Sequence, residues 1–199
     1  MNFCTVSYRD GTVIADQTYH GLASHAGLAA HAGLAAHANP FEATIASGKT
    51  MHSAGIKPEL ECFGLAHVHN ALFFHEHYDF LESPLHFSFV FGVMGGVRFN
   101  ANTVDAYIQA IPEGASWQGI GVGPFCFRVA MVSAAFGGHI RVGLEDNIYI
   151  DPATKTKSKG NWDQVEKAVG IARAAGREPA SPQEAREILG ISSPAPPHD

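Results

Sequence analysis

Four times along the chain, a segment with the periodicity of a β-strand is followed by one with the periodicity of a helix. The predicted strands begin near residues 57, 85, 115 and 139. One strand and its helix therefore take about 25 to 30 residues, as in a βαβ unit. Units of this kind build a parallel sheet with right-handed crossovers, so the sequence predicts an α/β fold. Charged residues gather at the predicted strand ends, where the loops of a barrel build an active site.

An eight-stranded barrel needs about 250 residues, and this chain has 199. Because four β-α units are visible, the prediction is an incomplete TIM-type (β/α)8 barrel that occupies residues 39–191. Residues 1–20 are interpreted as the remnant of a barrel strand and its loop, and the proline-rich residues 192–199 as a disordered tail. Open strand edges invite association, so we expect the chain to be a homo-oligomer.

Residues 21–38 consist of three copies of one hexapeptide rich in His, Ala and Gly. A six-residue step on a helix rotates the side chain by roughly 600°, so His25, His31 and His37 do not share a face. Glycine in every copy also weakens a helix. The block is interpreted as a surface insertion that is partly helical or disordered. A metal-capturing role for the histidines stays open as an alternative.

Charge and cysteine content exclude several classes of protein. The net charge is -6 and no basic block is present, which argues against nucleic acid or an anionic membrane as the main partner. Cys4, Cys62 and Cys126 are scattered and odd in number, as is usual for proteins of a reducing cytosol. The chain shows neither a signal-peptide pattern nor an apolar run long enough to span a bilayer. A cytoplasmic location is therefore predicted.

Residues 138–147 begin as a predicted strand that carries Arg141. After it come two adjacent carboxylates, Glu145 and Asp146, and then the amide of Asn147. Charges are rarely buried without a partner, so this group is costly in a core strand. One carboxylate that points into a cleft can hold a divalent metal, and its neighbour can pair with the guanidinium. A structural ion pair at a strand end is the alternative, and residue types alone do not decide between the two.

Taken together, several segments of the sequence resemble the β-keto acid cleavage enzymes, typified by the 3-keto-5-aminohexanoate cleavage enzyme. The similarity runs in order from about residue 39 to 191, and the stretch around Glu145 is the most specific part. The matching segments are Lys-Pro-Glu-Leu-Glu at 57–61, residues 84–93, residues 116–123, Gly-Gly-His-Ile-Arg-Val-Gly-Leu-Glu-Asp-Asn at 137–147, and residues 180–189.

This resemblance implies a zinc-dependent (β/α)8 barrel, of which the chain matches the C-terminal half with its last four β-α units. It implies condensation of a β-keto acid with acetyl-CoA that yields acetoacetate and a new acyl-CoA, in amino-acid degradation. Glu145 matches a zinc ligand of the family. Arg141, Asp146 and Glu61 match its base system, in which two carboxylates hold an arginine and lower the cost of proton transfer. Zinc in such a site stabilises the developing enolate.

Glycines at positions 119, 121 and 123 follow the third predicted strand. Barrels often bind phosphate after their penultimate strand, so Gly119, Gly121 and Gly123 are predicted to contact part of the CoA. A closely packed glycine turn that binds nothing is the alternative.

The family's zinc-binding His-x-His strand has no counterpart upstream in this sequence. His67 and His69 form a His-x-His pair just past the predicted Glu61 strand, and at a strand end both rings are able to lie on one side. They are therefore candidate metal ligands together with Glu145. His86 and His139 are interpreted as hydrogen-bonded core or supporting residues.

Three functions stay open at this point. The leading one is an enzyme of this family that is truncated and inactive on its own. The second is a non-catalytic remnant that binds acyl-CoA or another chain. The third is a histidine-rich metal-binding protein in which the hexapeptide block is the functional part.

Overall fold

The computed structural model describes residues 39–93 and 96–191 in full and the backbone of residues 6–8 and 35–37. The helices are α1 Phe41–Ser53, α2 Leu65–His77, α3 Ala101–Ala110, α4 Cys126–Ala135, α5 Asn161–Ala174 and α6 Pro182–Leu189. The strands are β1 Val6–Tyr8, β2 Ala35–His37, β3 Leu60–Cys62, β4 His86–Phe91, β5 Ser116–Gly121, β6 His139–Arg141, β7 Tyr149–Asp151 and β8 Thr156–Lys157. A short 3-10 helix, Gly123–Phe125, joins β5 to α4.

The main sheet has four strands in the order β3-β4-β5-β6, and every neighbouring pair is parallel. An α-helix follows each of these strands before the next strand of the sheet begins. The helix that follows β6 comes after the small β7–β8 hairpin. The predicted α/β fold with a parallel sheet is confirmed. β1 and β2 pair with each other in a separate antiparallel sheet.

The two faces of the main sheet differ in polarity. One face packs against the helices and forms the core, where the Phe89 ring stacks on Tyr107 with centroids 4.3 Å apart. The opposite face carries polar side chains in register: Glu61 lies beside Ser88, Ser88 beside Gln118, and Gln118 beside His139. Side chains alternate along a strand, so the Glu61 face is the polar one by sequence pattern alone.

Some predictions at the level of elements differ from the structure. Ala35–His37, in the third hexapeptide, is a strand rather than helical or irregular; most of the block, the 192–199 tail and the rest of residues 1–20 lie outside the described residues. The helical spacing of Trp162, Val165, Val169 and Ala172 predicts that these residues form the buried stripe of α5. This prediction is wrong, because Trp162 and Val165 are exposed while Gln164 and Ala168 are the buried residues of the helix.

Across the described ranges, no helix combines the length and the apolar character that a membrane span requires.

Candidate active site

The candidate site lies where β3 and β6 end and the chain turns after β6. Parallel strands present their carboxyl ends at one edge of a sheet, so residues distant in sequence meet there. Arg141 is the last residue of β6, and the turn that follows is closed by the Asn147 N–H, which donates to the Gly143 carbonyl at 3.0 Å. The Gly123 N–H donates to the Asp146 carbonyl at 2.8 Å. The loop after β5 therefore fixes the turn that carries Glu145 and Asp146.

Arg141 stands at the centre of four carboxylates. Its Nη2 donates to Glu145 Oε2 at 2.9 Å. Nη1 lies 3.5 Å from Oε1 of both Glu59 and Glu61, and Nε lies 3.5 Å from Asp146 Oδ2. The structure thus brings together Arg141, Asp146 and Glu61, the three residues that the sequence predicted to act as one group.

Glu59 is a member of this cluster to which the sequence pattern assigned no role. Gln118 Nε2 donates to Glu59 Oε1 at 2.9 Å and to Ser88 Oγ at 2.8 Å, and Ser88 Oγ also donates to Glu59. Two neighbouring strands therefore hold this carboxylate beside Arg141. The available signal was the alternation that places Glu59 and Glu61 on the same face.

Burial and charge together set the protonation of the cluster. Asp146 is only 11% exposed, and this burial raises the pKa of its carboxyl to about 6, although the Arg141 guanidinium opposes the change. Burial also raises the pKa of Glu61, again against Arg141. Burial by itself lowers the pKa of Arg141, but the carboxylates, with Asp146 foremost, outweigh it and the net change is upward. Arg141 therefore stays a cation, and the pKa of Asp146 lies at about 6, well above the usual range of an aspartate.

The described residues do not fit a zinc ion on their own. The Glu145 side chain is 79% exposed and is engaged with Arg141. Among residues 39–93 and 96–191, no three His, Cys, Asp or Glu side chains are grouped so as to hold a metal, whereas protein zinc sites usually have at least three protein ligands.

His67 and His69 do not lie at a strand end, so that part of the prediction is wrong. Both belong to α2, where residues two apart leave the helix roughly 200° apart. His67 Nδ1 accepts a hydrogen bond from the Phe63 N–H at 2.9 Å. The pair therefore does not converge on Glu145.

Gly119 and Gly121 lie within β5 and not after it, as the sequence suggested, and their contacts explain why neither has a side chain. A Cβ on Gly119 would meet Ser133 Oγ and lie 2.7 Å from Val129 Cγ1, both on α4. A Cβ on Gly121 would lie 2.6 Å from the Phe125 carbonyl oxygen. Gly123 has a φ of +58°, and its N–H is already bonded to Asp146. Gly119 and Gly121 let α4 and the 3-10 helix before it pack closely on β5, and contact of Gly119, Gly121 and Gly123 with CoA stays a prediction.

His86 is a buried, hydrogen-bonded residue as predicted: its Nδ1 lies 2.8 Å from Ser116 Oγ. Its ring centroid is 6.0 Å from that of His139. Burial lowers the pKa of both histidines. Beside them a cavity of about 560 Å³ opens between β6 and α5, with Arg141, Glu59 and Gln118 on its polar side.

Comparison with known proteins gives one family. The family model of the β-keto acid cleavage enzymes matches residues 1–191. The 3-keto-5-aminohexanoate cleavage enzyme of Fusobacterium nucleatum is 40% identical over 144 residues, which are 72% of this chain and 51% of that protein. The enzyme of the same name from Acetoanaerobium sticklandii is also 40% identical over 72% of the chain and 52% of its own length. The 3-oxoadipate:acetyl-CoA acetyltransferase of Cupriavidus necator is 31% identical over 72% of the chain and 50% of its own length.

Solved structures agree at the level of the fold. The apo structure of ObcA superposes with a TM-score of 0.62 at 20% identity, over 77% of this chain and 40% of that one. The ternary complex of ObcA with a C4-CoA adduct and oxalate gives a TM-score of 0.60 at 21% identity. The chain thus spans about half the length of the curated relatives it matches. The family model, these relatives and the cluster around Arg141 agree: the chain belongs to the β-keto acid cleavage enzyme family.

Proposed function

We propose that this chain carries the arginine–carboxylate part of an active site that cleaves a β-keto acid with the help of acetyl-CoA. The observation that supports the proposal is the cluster of Glu59, Glu61, Glu145 and Asp146 around Arg141 at the carboxyl end of the sheet. Acetyl-CoA is named in the Cupriavidus relative, and we take it as the co-substrate.

The reaction exchanges one carbon–carbon bond for another. Carbon 2 of the β-keto acid loses a proton and forms a bond to the acetyl carbonyl carbon, and CoA leaves as the thiolate. The thiolate then attacks the original keto carbon, whose bond to carbon 2 breaks. The proton returns to carbon 2, so acetoacetate and a new acyl-CoA leave with atoms and charge in balance.

Asp146 is the group best suited to accept and return that proton. A catalytic base works best when its pKa lies near the working pH, and burial raises the pKa of Asp146 to about 6. Arg141 is held as a cation beside it and offers planar N–H donors to the substrate carboxylate or to the developing enolate. We assign Glu61 and Glu59 to holding Arg141 from the side of β3. In this proposal Arg141 is a cationic partner of the base rather than the base itself.

A zinc ion in the whole family enzyme would stabilise the enolate by acting as a Lewis acid. Glu145 is the one ligand that the described part of this chain offers for it, so the remaining ligands have to come from elsewhere, and no step here depends on the metal. The choice of β-keto acid and a cytosolic location stay predictions.

The test uses acetyl-CoA and 3-keto-5-aminohexanoate, with formation of a new acyl-CoA followed by mass spectrometry. The chain is assayed alone and mixed with the N-terminal half of the Fusobacterium relative, both with zinc in the buffer. Product in the mixture, with a loss of about 100-fold or more in Asp146→Asn, supports the proposal, since a general base contributes roughly 10²- to 10⁴-fold. Glu113→Gln, at an exposed carboxylate before β5, is the matched control and keeps activity.

Two results contradict the proposed chemistry. Near-normal turnover by Asp146→Asn removes that residue from the reaction. A mixture that forms a complex and binds acetyl-CoA but yields no acyl-CoA favours the non-catalytic alternative, a chain that binds acyl-CoA without reacting.

A further inference from the structure

One face of helix α5 is bonded to the turn that carries the acidic residues of the site. This turn, residues 143–147, is called the carboxylate turn below. Asn161 Oδ1 accepts a hydrogen bond from the Leu144 N–H at 2.9 Å. Nearly one helical turn further on, Gln164 Nε2 donates to the Asn147 carbonyl at 2.5 Å. Residues three apart lie on the same side of a helix, so two side-chain amides of α5 hold the carboxylate turn near both of its ends.

The helix that provides these contacts is itself fixed. Close to its start, Asp163 Oδ2 accepts from the Lys159 N–H at 2.9 Å. Further along the same face, Lys167 Nζ donates to the Ile150 carbonyl at 2.6 Å. The same ammonium lies 4.0 Å from the centroid of the Phe127 ring on α4. Helix α5 is therefore tied both to α4 and to the strand that follows the carboxylate turn.

Gln164 is an unusual residue for a buried helix position. It is fully buried, and its Oε1 has no hydrogen-bond partner among the described residues. A buried polar atom without a partner costs stability, and an apolar side chain of similar size avoids that cost. Asn147 is also buried, so its carbonyl needs a donor. What the glutamine supplies, and an apolar side chain does not, is that donor.

Asp146 lies between the two residues that α5 holds. From the opposite side, its carbonyl accepts from the Gly123 N–H at 2.8 Å. Its carboxyl is 11% exposed, and its Oδ2 lies 3.5 Å from Arg141 Nε. A carboxylate turn released from α5 keeps the bond to Gly123 but loses the bonds near its two ends. The carboxyl then gains access to water and loses its alignment with Arg141.

We propose that Asn161 and Gln164 are positioning residues that keep Asp146 buried beside Arg141 by fixing the backbone of the carboxylate turn. Both act through backbone groups and not on the substrate. The inference deepens the proposed function and rests on it, because only there is Asp146 the catalytic base. Its first test needs no turnover, so the two can fail separately.

The first experiment is a carbon-13 NMR titration of the Asp146 carboxyl in the folded 199-residue chain. Gln164→Met removes the donor and keeps an unbranched side chain of similar length. Burial is the largest cause of the raised pKa of Asp146, which is about 6 in the parent chain, so exposure of the carboxyl should lower this pKa to about 5 or less. Gln183→Met is the matched control, since exposed Gln183 also donates through its Nε2, to Glu187 at 2.9 Å.

Other groups near Asp146 do not disturb this readout. Burial raises the pKa of the neighbouring Cys126 thiol to about 11, so the thiol stays neutral through the titration. The charged side chains that act on Asp146 are the same in all of these variants: Arg141, Glu145, Glu61 and Glu59. A lowered pKa of Asp146 therefore reports a loss of burial.

The second experiment uses Asn161, which is exposed, so that its variants leave the core intact. Asn161→Ala removes the acceptor for the Leu144 N–H, whereas Asn161→Asp keeps an oxygen in its place. The Leu144 amide should exchange with solvent about 10-fold faster in the alanine variant, as expected for loss of one hydrogen bond, and at the parental rate in the aspartate variant. Only the alanine variant should lower the pKa of Asp146, because an added carboxylate raises the pKa of a neighbouring acid. Amides of β4 should be unchanged in both.

Kinetics of the mixture with the N-terminal half of the Fusobacterium relative complete the test. Gln164→Met should lower kcat about 10-fold or more and leave KM nearly unchanged, because a misplaced base slows the chemical step without weakening binding. A parental pKa of Asp146 in both Gln164→Met and Asn161→Ala overturns the proposal, and so does a lowered pKa with a parental kcat. A lowered pKa in a mixture that forms no acyl-CoA supports the hold on Asp146 and contradicts the proposed function instead.

Discussion

Arg141 binds its four carboxylates through all three of its nitrogens. Nη2 is used for Glu145, Nη1 for Glu59 and Glu61, and Nε for Asp146. A guanidinium presents these donors in one rigid plane, whereas a lysine ammonium is a single point of charge. The arrangement of the carboxylates therefore depends on an arginine and not merely on a positive charge.

We predict that Arg141→Lys lowers kcat far more than it raises KM. The assay uses the chain mixed with the N-terminal half of the Fusobacterium relative. A lysine keeps the charge that attracts substrate but loses the fork that aligns Asp146 with Glu61. Steady-state kinetics measure the two constants. Arg173→Lys is the matched control, because Arg173 also forms an ion pair, Nε to Glu178 Oε2 at 3.0 Å, on an exposed surface. A near-normal kcat with lysine at position 141 would rule out the aligned cluster.

The raised pKa of Asp146 predicts a pH-dependent cost to stability. The pKa is about 6 in the folded protein against a reference of 3.8, so the folded state resists ionisation of this carboxyl. The protonated Asp146 therefore stabilises the folded state below about pH 4, and this stabilisation is lost as the pH rises from 4 to 6. A shift of about 2 pKa units corresponds to roughly 3 kcal/mol at neutral pH.

Asp146→Asn should therefore raise the free energy of unfolding at pH 7 relative to the parent protein, with little change at pH 4. Denaturant unfolding at both pH values measures the difference, which we expect to be on the order of 3 kcal/mol. Asp105→Asn on the exposed face of α3 controls for loss of a surface charge. An Asn variant that is equally destabilised at both pH values would contradict the assignment of the cost to ionisation.

The sequence identified Arg141, Asp146 and Glu61 as one group but did not assign Glu59 to it. Arg141, Asp146 and Glu61 were predicted by resemblance, and the structure brings them together. Contact between Glu59 and Arg141 joins residues 82 positions apart in the sequence, and periodicity does not reveal a contact over such a separation. The misplacement of His67 and His69 has a local cause: α2 begins after Gly64 without a capping side chain, so the usual signal of a helix start is missing.

At the scale of elements, the contact between β5 and α4 depends on Gly119. The helix approaches so closely that a Cβ at this position would overlap Ser133 and Val129. Overfilling a packed contact typically costs 1 to 3 kcal/mol. Gly119→Ala should lower the free energy of unfolding by about that amount, as measured by denaturant titration.

Gly170 provides the matched control for this prediction. It lies inside α5, and a Cβ there would meet nothing within 4 Å. Alanine in a helix interior is favoured over glycine by up to about 1 kcal/mol, so Gly170→Ala should stabilise the protein. If both variants shift stability in the same direction, the packing explanation for Gly119 is wrong.

Strands with strong alternation were predictable, but the buried face of α5 was not. Trp162, Val165 and Val169 have helical spacing and suggested a core stripe. The structure instead buries Gln164, whose Nε2 donates to the Asn147 carbonyl and ties α5 to the turn after β6. Val165 and Val169 line the cavity beside the β6 edge. Part of the apolar stripe therefore lines a cavity rather than the core, and sequence periodicity does not distinguish the two cases.

At the scale of the whole molecule, the four β-α units counted in the sequence correspond to the four parallel strands of the structure. What closes the sheet was beyond prediction, because an edge strand bonds through its backbone and so carries no record of its partner. Whether residues outside the described part of the chain complete a metal site at Glu145 can be measured.

The last prediction is that the N-terminal half of the Fusobacterium relative converts the chain into a one-to-one complex that binds zinc. The resemblance to the family places two histidine ligands in that half, and Glu145 is the one ligand available from the described residues here. Three protein ligands are usual for catalytic zinc, whereas Glu145 alone does not hold the ion. Light scattering should therefore show a complex of one copy of each chain, and calorimetry should show one zinc per complex. Glu145→Gln should abolish the zinc signal and leave the complex intact, with Glu113→Gln as the unaffected control. Stoichiometric zinc binding by the chain without the added half would show that the ligands lie within these 199 residues, and zinc binding unchanged by Glu145→Gln would remove Glu145 from the metal site.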